Sequence, residues 1–230
     1  MTKTARIVGI ESRSLATDPP LQILTLALTD PLIFAAGQYL EVVHPDGTAI
    51  PLSIVSPPEW LPELRLHYRS TPGMVAAQRM DELLEGERLE LRGGAGEVCL
   101  LPEDARDLFL IAGGTGISQA LCLAGAQCTR HPQSSVTLLA CADDEADFYY
   151  RDLLPDSPRF TATLIADPAR DSGNRGLDWL LRNGKALCSD DRRIVLSGSP
   201  AFVHAAADTL SRAGVSRSKL ESDVFSWAPN

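Results

Sequence analysis

The sequence predicts two domains in series, a small antiparallel β-barrel followed by an α/β domain built on a parallel sheet. Three observations predict it. Up to about residue 100, short β-like runs are separated by turn residues. Beyond "LPEDARD" (101–107), continuous apolar runs alternate with helical segments, as strands covered on both faces do. The chain's 230 residues are enough for one large domain or two small ones, at roughly 150 residues per domain. The boundary is expected within 100–107, which gives a barrel over 1–102 and an α/β domain over 103–230.

In the first half "RIVGIES" (6–12), "LQILTLAL" (21–28), "QYLEVVH" (38–44), "PLSIVS" (51–56), "LRLHYRS" (64–70) and "ERLELRG" (87–93) read as strands, broken by "DPP", "PDG", "SPPEW" and "GGAG". One helical pattern interrupts them: in "GMVAAQRMDELLEGE" (73–87), Met74, Val75, Met80 and Leu83/Leu84 recur at roughly helical spacing. Several strands and a single helix suggest the barrel. In the second half "LFLIAGG" (108–114), "VTLLACA" (136–142), "FTATLIAD" (160–167) and "RIVLSGS" (193–199) read as strands. Helices are predicted over 116–129, 145–154, 174–184 and 200–213.

Charge and composition exclude several function classes. The net charge is −9 and no Lys/Arg cluster stands out, which argues against nucleic acid and against anionic membranes as partners. No sustained apolar segment approaches the ~20 residues needed to span a bilayer, and the start lacks an apolar signal core, so a cytoplasmic protein is expected. The five cysteines (Cys99, Cys122, Cys128, Cys141, Cys188) form no CxxC pair and the four histidines are scattered. No metal site is expected, and the cysteines, four of the five in apolar surroundings, read as buried reduced thiols.

The most informative stretch is "LFLIAGGTGISQALCLAGA" (108–126), in which an apolar strand breaks into Gly113, Gly114, Thr115 and Gly116 and resumes as a small-residue helix. Glycine there permits positive φ and close backbone approach, and the helix start offers unpaired N–H groups to an anion. Tight packing is the alternative. The spacing is neither GxGxxG, since position 119 is Gln, nor a P-loop. A second glycine-bearing strand end, "VLSGSPAFV" (195–203), runs into a helix opened by Pro200. By itself it reads better as an ordinary βα connection.

Taken together, "AGQYL…PLS", "LIAGGTGIS", "LSGSPAFV" and the terminal "ESDVFSW" resemble the ferredoxin–NADP reductase superfamily over nearly the whole chain. The resemblance is strongest to short NAD(P)H:flavin oxidoreductases without an iron–sulfur domain. It implies a flavin-binding barrel joined to a nicotinamide-binding α/β domain, with hydride passing across the cleft between them. Gly113, Gly114, Thr115 and Gly116, followed by Ile117, match the family's GGTG, which faces the dinucleotide pyrophosphate. Ser197, Gly198, Ser199 and Pro200 match the loop beside the nicotinamide. "IPLS" (50–53) matches the flavin motif R-x-[FY]-[ST], so that Pro51 and Leu52 border the flavin and Ser53 hydrogen-bonds its N5. By the same resemblance His67 and Tyr68 flank the ring, Thr71 of "TPGM" lies near the flavin phosphates, and Phe225 or Trp227 covers the ring.

Two departures matter. Ile50 and Leu52 replace the motif's arginine and aromatic, and an arginine–phosphate bond is worth about 1.5–3 kcal/mol, so FMN, FAD or riboflavin is expected to be held weakly or transiently. Arg65 and Arg69 are candidate replacement cations. Asp143 and Asp144, in "CADDEADFYY", would repel a 2′-phosphate, which points to NADH over NADPH; alternatively these acids begin a helix near its positive end. Three functions remain open. The chain is a flavin reductase releasing its product, the reductase component of an oxygenase or other electron-transfer system, or a non-catalytic nucleotide-binding subunit. In the first, the cofactors carry the chemistry and the protein supplies alignment and exclusion of water.

Overall fold

The computed structural model describes residues 2–16, 19–167, 174–188 and 191–228. The first six strands are β1 (Lys3–Arg13), β2 (Leu21–Leu28), β3 (Tyr39–Val43), β4 (Ala49–Ser53), β5 (Glu63–Arg69) and β6 (Arg88–Ala95). They form one sheet in the order β4-β3-β6-β1-β2-β5, antiparallel throughout. The sheet curls until its two edges meet: Ile54 bridges to Leu66, and the Val55 N–H donates to the Arg65 carbonyl at 2.9 Å. Closure removes the exposed edges a six-stranded sheet would otherwise leave. Alternation places Leu24, Leu26, Leu40, Val42, Leu64 and Leu66 inside. Helix α1 (Val75–Leu84) adds Met80 to that interior and Ala77 to its buried side.

The second domain runs β7 (Leu108–Gly113), α2 (Ile117–Arg130), β8 (Val136–Ala142), β9 (Phe160–Ala166), α3 (Arg175–Leu187), β10 (Arg193–Ser197), α4 (Pro200–Arg212) and β11 (Leu220–Glu221). Its sheet is parallel, in the order β11-β10-β7-β8-β9. Every residue of β7 and β10 is buried, as strands covered on both faces must be. Phe109, Ile111, Leu139, Ile194 and Leu196 pack on one face against Leu180 of α3 and Val203 and Leu210 of α4. On the other face Leu108, Leu110 and Leu138 join α2 and the barrel interior in one apolar cluster.

Helix α2 explains its own composition. It is wedged between sheet and barrel, and ten of its residues are buried, among them Ser118, Gln119, Cys122 and Gln127. Small residues let it approach the barrel: Gly125 lies against Pro57, and a side chain at Gly37 would strike Leu123. Its polar groups bond across the interface, Gln119 Nε2 to the Gly37 carbonyl (2.8 Å) and Cys122 Sγ to the Ser56 carbonyl (3.3 Å).

One expectation is corrected. The helix predicted over 145–154 is instead two 3-10 turns, Glu145–Asp147 and Arg151–Leu153, because Phe148, Tyr149 and Tyr150 between them turn inward. Strand β11 was not anticipated; two residues are too few to carry a period. All five cysteines are free; Cys122 is fully buried, which pushes its thiol up to about 12, and the other four are half-buried.

Candidate functional site: a cleft between the two domains

The parallel sheet reverses direction of growth at β7, with β8 and β9 added on one side and β10 and β11 on the other. Open α/β sheets take ligands at such a switch point, beyond the carboxyl ends of the strands. The two glycine-bearing segments stand there, Gly113–Gly116 after β7 and Ser197–Gly198 at the end of β10.

The glycines divide by role. A side chain at Gly113 would sit 2.6 Å from the Phe202 ring, and one at Gly198 (φ +143°) would sit 2.8 Å from the Gly113 carbonyl. A side chain at Gly116 would collide with the Ser197–Gly198 backbone. These three are required by packing, and Ser197 Oγ pins the same junction by donating to the Gly116 carbonyl at 2.9 Å. Gly114 differs: its φ is +55° and nothing lies within 4 Å of where a Cβ would be. It opens onto a cleft.

That cleft has a volume of about 920 Å³, within the range of small-molecule and cofactor sites. The barrel supplies Ile50, Pro51 and Leu52 of β4, His67, Tyr68 and Arg69 of β5, Thr71, and Met74 and Ala77 at the start of α1. The α/β domain supplies Gly113, Gly114 and Thr115, then Cys141, Ala142 and Asp143 after β8, then Tyr149, Tyr150, Ser199 and Phe202.

Many of the residues singled out in the sequence thus line one space: Ile50, Pro51, Leu52, His67, Tyr68, Arg69, Thr71, Gly113, Gly114, Thr115, Asp143 and Ser199. The other candidate site residues do not. Ser53 ends β4 beside Leu52, half-buried and paired with Tyr39, but is not part of the lining. Gly116, Ser197 and Gly198 form the strand-end junction, Ile117 is buried at the head of α2, and Pro200 opens α4 behind its capping residue Ser199, whose Oγ accepts the Phe202 N–H (3.3 Å). Phe225 also lies outside the lining. Its ring lies 5.8 Å from that of His204, under the Arg217 guanidinium (5.1 Å), in the cluster on the α4 side of the sheet. Asp223 fixes that direction by accepting the Glu97 and Val98 N–H groups, and Trp227 is exposed.

The electrostatics of the cleft centre on His67. Its Nδ1 faces two hydroxyls from the other domain, Tyr149 at 3.0 Å and Ser118 Oγ at 3.1 Å. Burial, with a smaller push from Arg65, brings its pKa down to about 3, so the ring is neutral. Its Nε2 is buried without a partner. The Tyr149 ring meets that of His67 edge-on at 5.2 Å, and Tyr150 follows at 5.2 Å, also edge-on. Burial pushes both phenols well above their ordinary range, and Tyr68 up to about 12. Of the two candidate arginines, Arg69 lines the cleft and donates from Nε to the Pro19 carbonyl (3.1 Å). Arg65 turns away to Glu63 (2.9 Å) and lies over Trp60.

Asp143 and Asp144 part company. Asp143 lines the cleft, whereas Asp144 caps the 3-10 turn by accepting the Ala146 N–H (2.9 Å) and borders a neighbouring cavity of about 390 Å³ with Arg175, Trp179 and Arg182. Sequence reasoning missed Tyr149, Tyr150 and Phe202. The signal for the tyrosines was present, since "FYY" follows the acids directly. Among the described residues no group of three His, Cys, Asp or Glu is placed to hold a metal, and no helix is long and apolar enough to cross a membrane.

No family model matches the chain. The reductase subunit of an aromatic O-demethylase from Amycolatopsis sp. is 30% identical over 219 residues, spanning 88% of this chain and 64% of that protein. Reductase component 2 of terephthalate 1,2-dioxygenase from Comamonas sp. is 28% identical over 222 residues, spanning 93% of this chain and 66% of that one. The chain therefore spans about two thirds of the length of these relatives. The fold is shared with ferredoxin-NADP+ reductase from Plasmodium falciparum, with a TM-score of 0.77 at 13% identity, covering 96% of this chain and 96% of that structure. The chain has the two-domain fold of ferredoxin–NADP reductase-like structures. Within that fold the cleft takes one wall from the barrel and the other from the glycine turn.

Proposed function

We propose that the chain is the electron-transfer reductase component of an oxygenase system, taking hydride from NADH onto a flavin and passing the electrons to a partner protein. One observation carries the reading: a single open cleft is walled on one side by the flavin-motif strand and on the other by the glycine turn. The relatives named as oxygenase reductases favour a protein acceptor over release of free reduced flavin.

The residues fit both cofactors. Gly114 leaves an open backbone cradle at the head of α2, where N–H groups and the helix dipole would receive a pyrophosphate, with Thr115 beside it. Asp143 would accept hydrogen bonds from a free ribose 2′-hydroxyl and repel a 2′-phosphate, favouring NADH. On the barrel side Pro51, Leu52, His67 and Tyr68 would border the isoalloxazine, and Arg69 and Thr71 the phosphate end. Arg69 thus stands in for the charge missing at Ile50, and Tyr149 and Tyr150 restore the aromatic surface missing at Leu52. Ser53 adjoins Leu52 but stands outside the lining, so a hydrogen bond from its hydroxyl to the flavin would need the ring to reach past Leu52. When bound, the two cofactors supply the redox chemistry, hydride leaving the nicotinamide C4 for the flavin N5. The protein aligns the rings and excludes water, and its neutral His67 and tyrosines introduce no competing acid or base.

The test is turnover with each flavin. Purified protein is mixed with NADH or NADPH and FAD, FMN or riboflavin, and nicotinamide oxidation is followed in air. We expect flavin-dependent oxidation with a lower KM for NADH, and flavin co-eluting with the protein on gel filtration. Turnover without co-elution would favour a reductase that releases its flavin. Nucleotide binding without turnover would leave the non-catalytic reading.

A further inference from the structure

Among the described residues that line the cleft, His67 carries the one buried side-chain nitrogen or oxygen left without a partner. Two hydroxyls converge on Nδ1, Tyr149 at 3.0 Å and Ser118 at 3.1 Å. A hydroxyl can donate to a bare imidazole nitrogen, and Nδ1 so occupied leaves the ring proton on Nε2. Nε2 is buried without a partner in a residue only 5% exposed. Buried donors are rarely left so, because an unsatisfied one is costly.

We propose that His67 binds the flavin ring: Tyr149 and Ser118 hold the imidazole as its Nε2–H tautomer, and Nε2–H donates to a carbonyl oxygen or ring nitrogen of the isoalloxazine. The inference rests on the flavin reading above and gives it a specific contact. His67 comes from the barrel strand β5, while Ser118 and Tyr149 come from α2 and the segment after β8. The flavin contact is therefore set by both domains, and Tyr149 is a positioning residue acting through the imidazole. A donor at this place recognises the ring itself, so riboflavin and FAD should depend on it equally.

Dissociation constants for riboflavin and FAD, read by flavin fluorescence, test this in His67→Leu, His67→Gln and Tyr149→Phe, each checked for native circular dichroism. His67→Leu should weaken both ligands about tenfold while leaving ADP-ribose binding unchanged. His67→Gln, whose amide N–H can replace Nε2–H, should restore most of the loss, and Tyr149→Phe should weaken both ligands less than His67→Leu does. Unchanged riboflavin affinity in a folded His67→Leu protein, or no recovery with Gln, overturns the proposal while leaving the functional reading intact. Failure of the wild-type protein to bind any flavin would instead remove the functional reading. Nitrogen-15 NMR of the wild-type histidines covers the case in which the variants do not fold. An Nε2–H resonance that moves on adding riboflavin supports the contact, and one that stays fixed contradicts it.

Discussion

At the residue scale, the glycine turn separates two uses of one amino acid that the sequence cannot tell apart. Gly116 has no room for a side chain against the Ser197–Gly198 backbone, whereas Gly114 has room and a positive φ. Gly116→Ala should therefore act on stability, lowering it by about 1–3 kcal/mol through overpacking, as a thermal melt would record. Gly114→Ala should cost about 1–2 kcal/mol of backbone strain and also weaken NADH binding, because the added methyl enters the cradle. Titration with NADH separates the two: a Gly114→Ala protein with unchanged affinity would place the pyrophosphate elsewhere. His67 carries a second prediction. Its folded pKa of about 3 lies below the unfolded 6.5, so between these values the unfolded chain binds a proton that the folded protein refuses. This penalty is absent above pH 6.5 and grows as pH falls, reaching roughly 2–3 kcal/mol at pH 4.5. Denaturant melts of His67→Gln should lose less stability than wild type between pH 6.5 and 4.5; equal losses would mean the imidazole is not held neutral.

At the element scale, α2 holds the two domains together, and its sequence records this as small residues rather than as an amphipathic stripe. Leu123 is fully buried where α2 meets the Gly37 turn. Leu123→Ala should cost about 2–5 kcal/mol, measured by urea denaturation, and a loss below 1 kcal/mol would show that the interface yields. Most elements were legible in the sequence. Parallel strands such as Leu108–Gly113 announce themselves as unbroken apolar runs, and β2 was read with the bounds it has, Leu21–Leu28, because turn residues flank it. The segment 145–154 was misread because its acids and apolar residues mimic a helix locally. Only tertiary contact shows that Tyr149 and Tyr150 face the cleft. The place of Phe225 is hidden in the same way: nothing local reveals that Asp223 anchors the terminal segment to Glu97 and Val98, with the aromatic beside His204 of α4.

At the scale of the whole molecule, the boundary visible in the sequence is not a boundary in the core. Leu24 and Leu66 of the barrel share one apolar cluster with Leu110, Leu121 and Val136 of the α/β domain. Neither half keeps its core if the other leaves, so thermal unfolding should follow a single transition with calorimetric and van't Hoff enthalpies in agreement. Two resolved transitions would mean that the halves fold independently. The same shared core holds the walls of the cleft at a fixed separation, a condition for stacking one ring on another. The central claim, that this cleft brings NADH and a flavin together, is tested most directly by mixing flavin-loaded protein with NADH without oxygen and following the visible absorption of the flavin. The account predicts bleaching within a single turnover, faster with NADH than with NADPH. A flavin that stays bound and fully oxidised under excess NADH would contradict it.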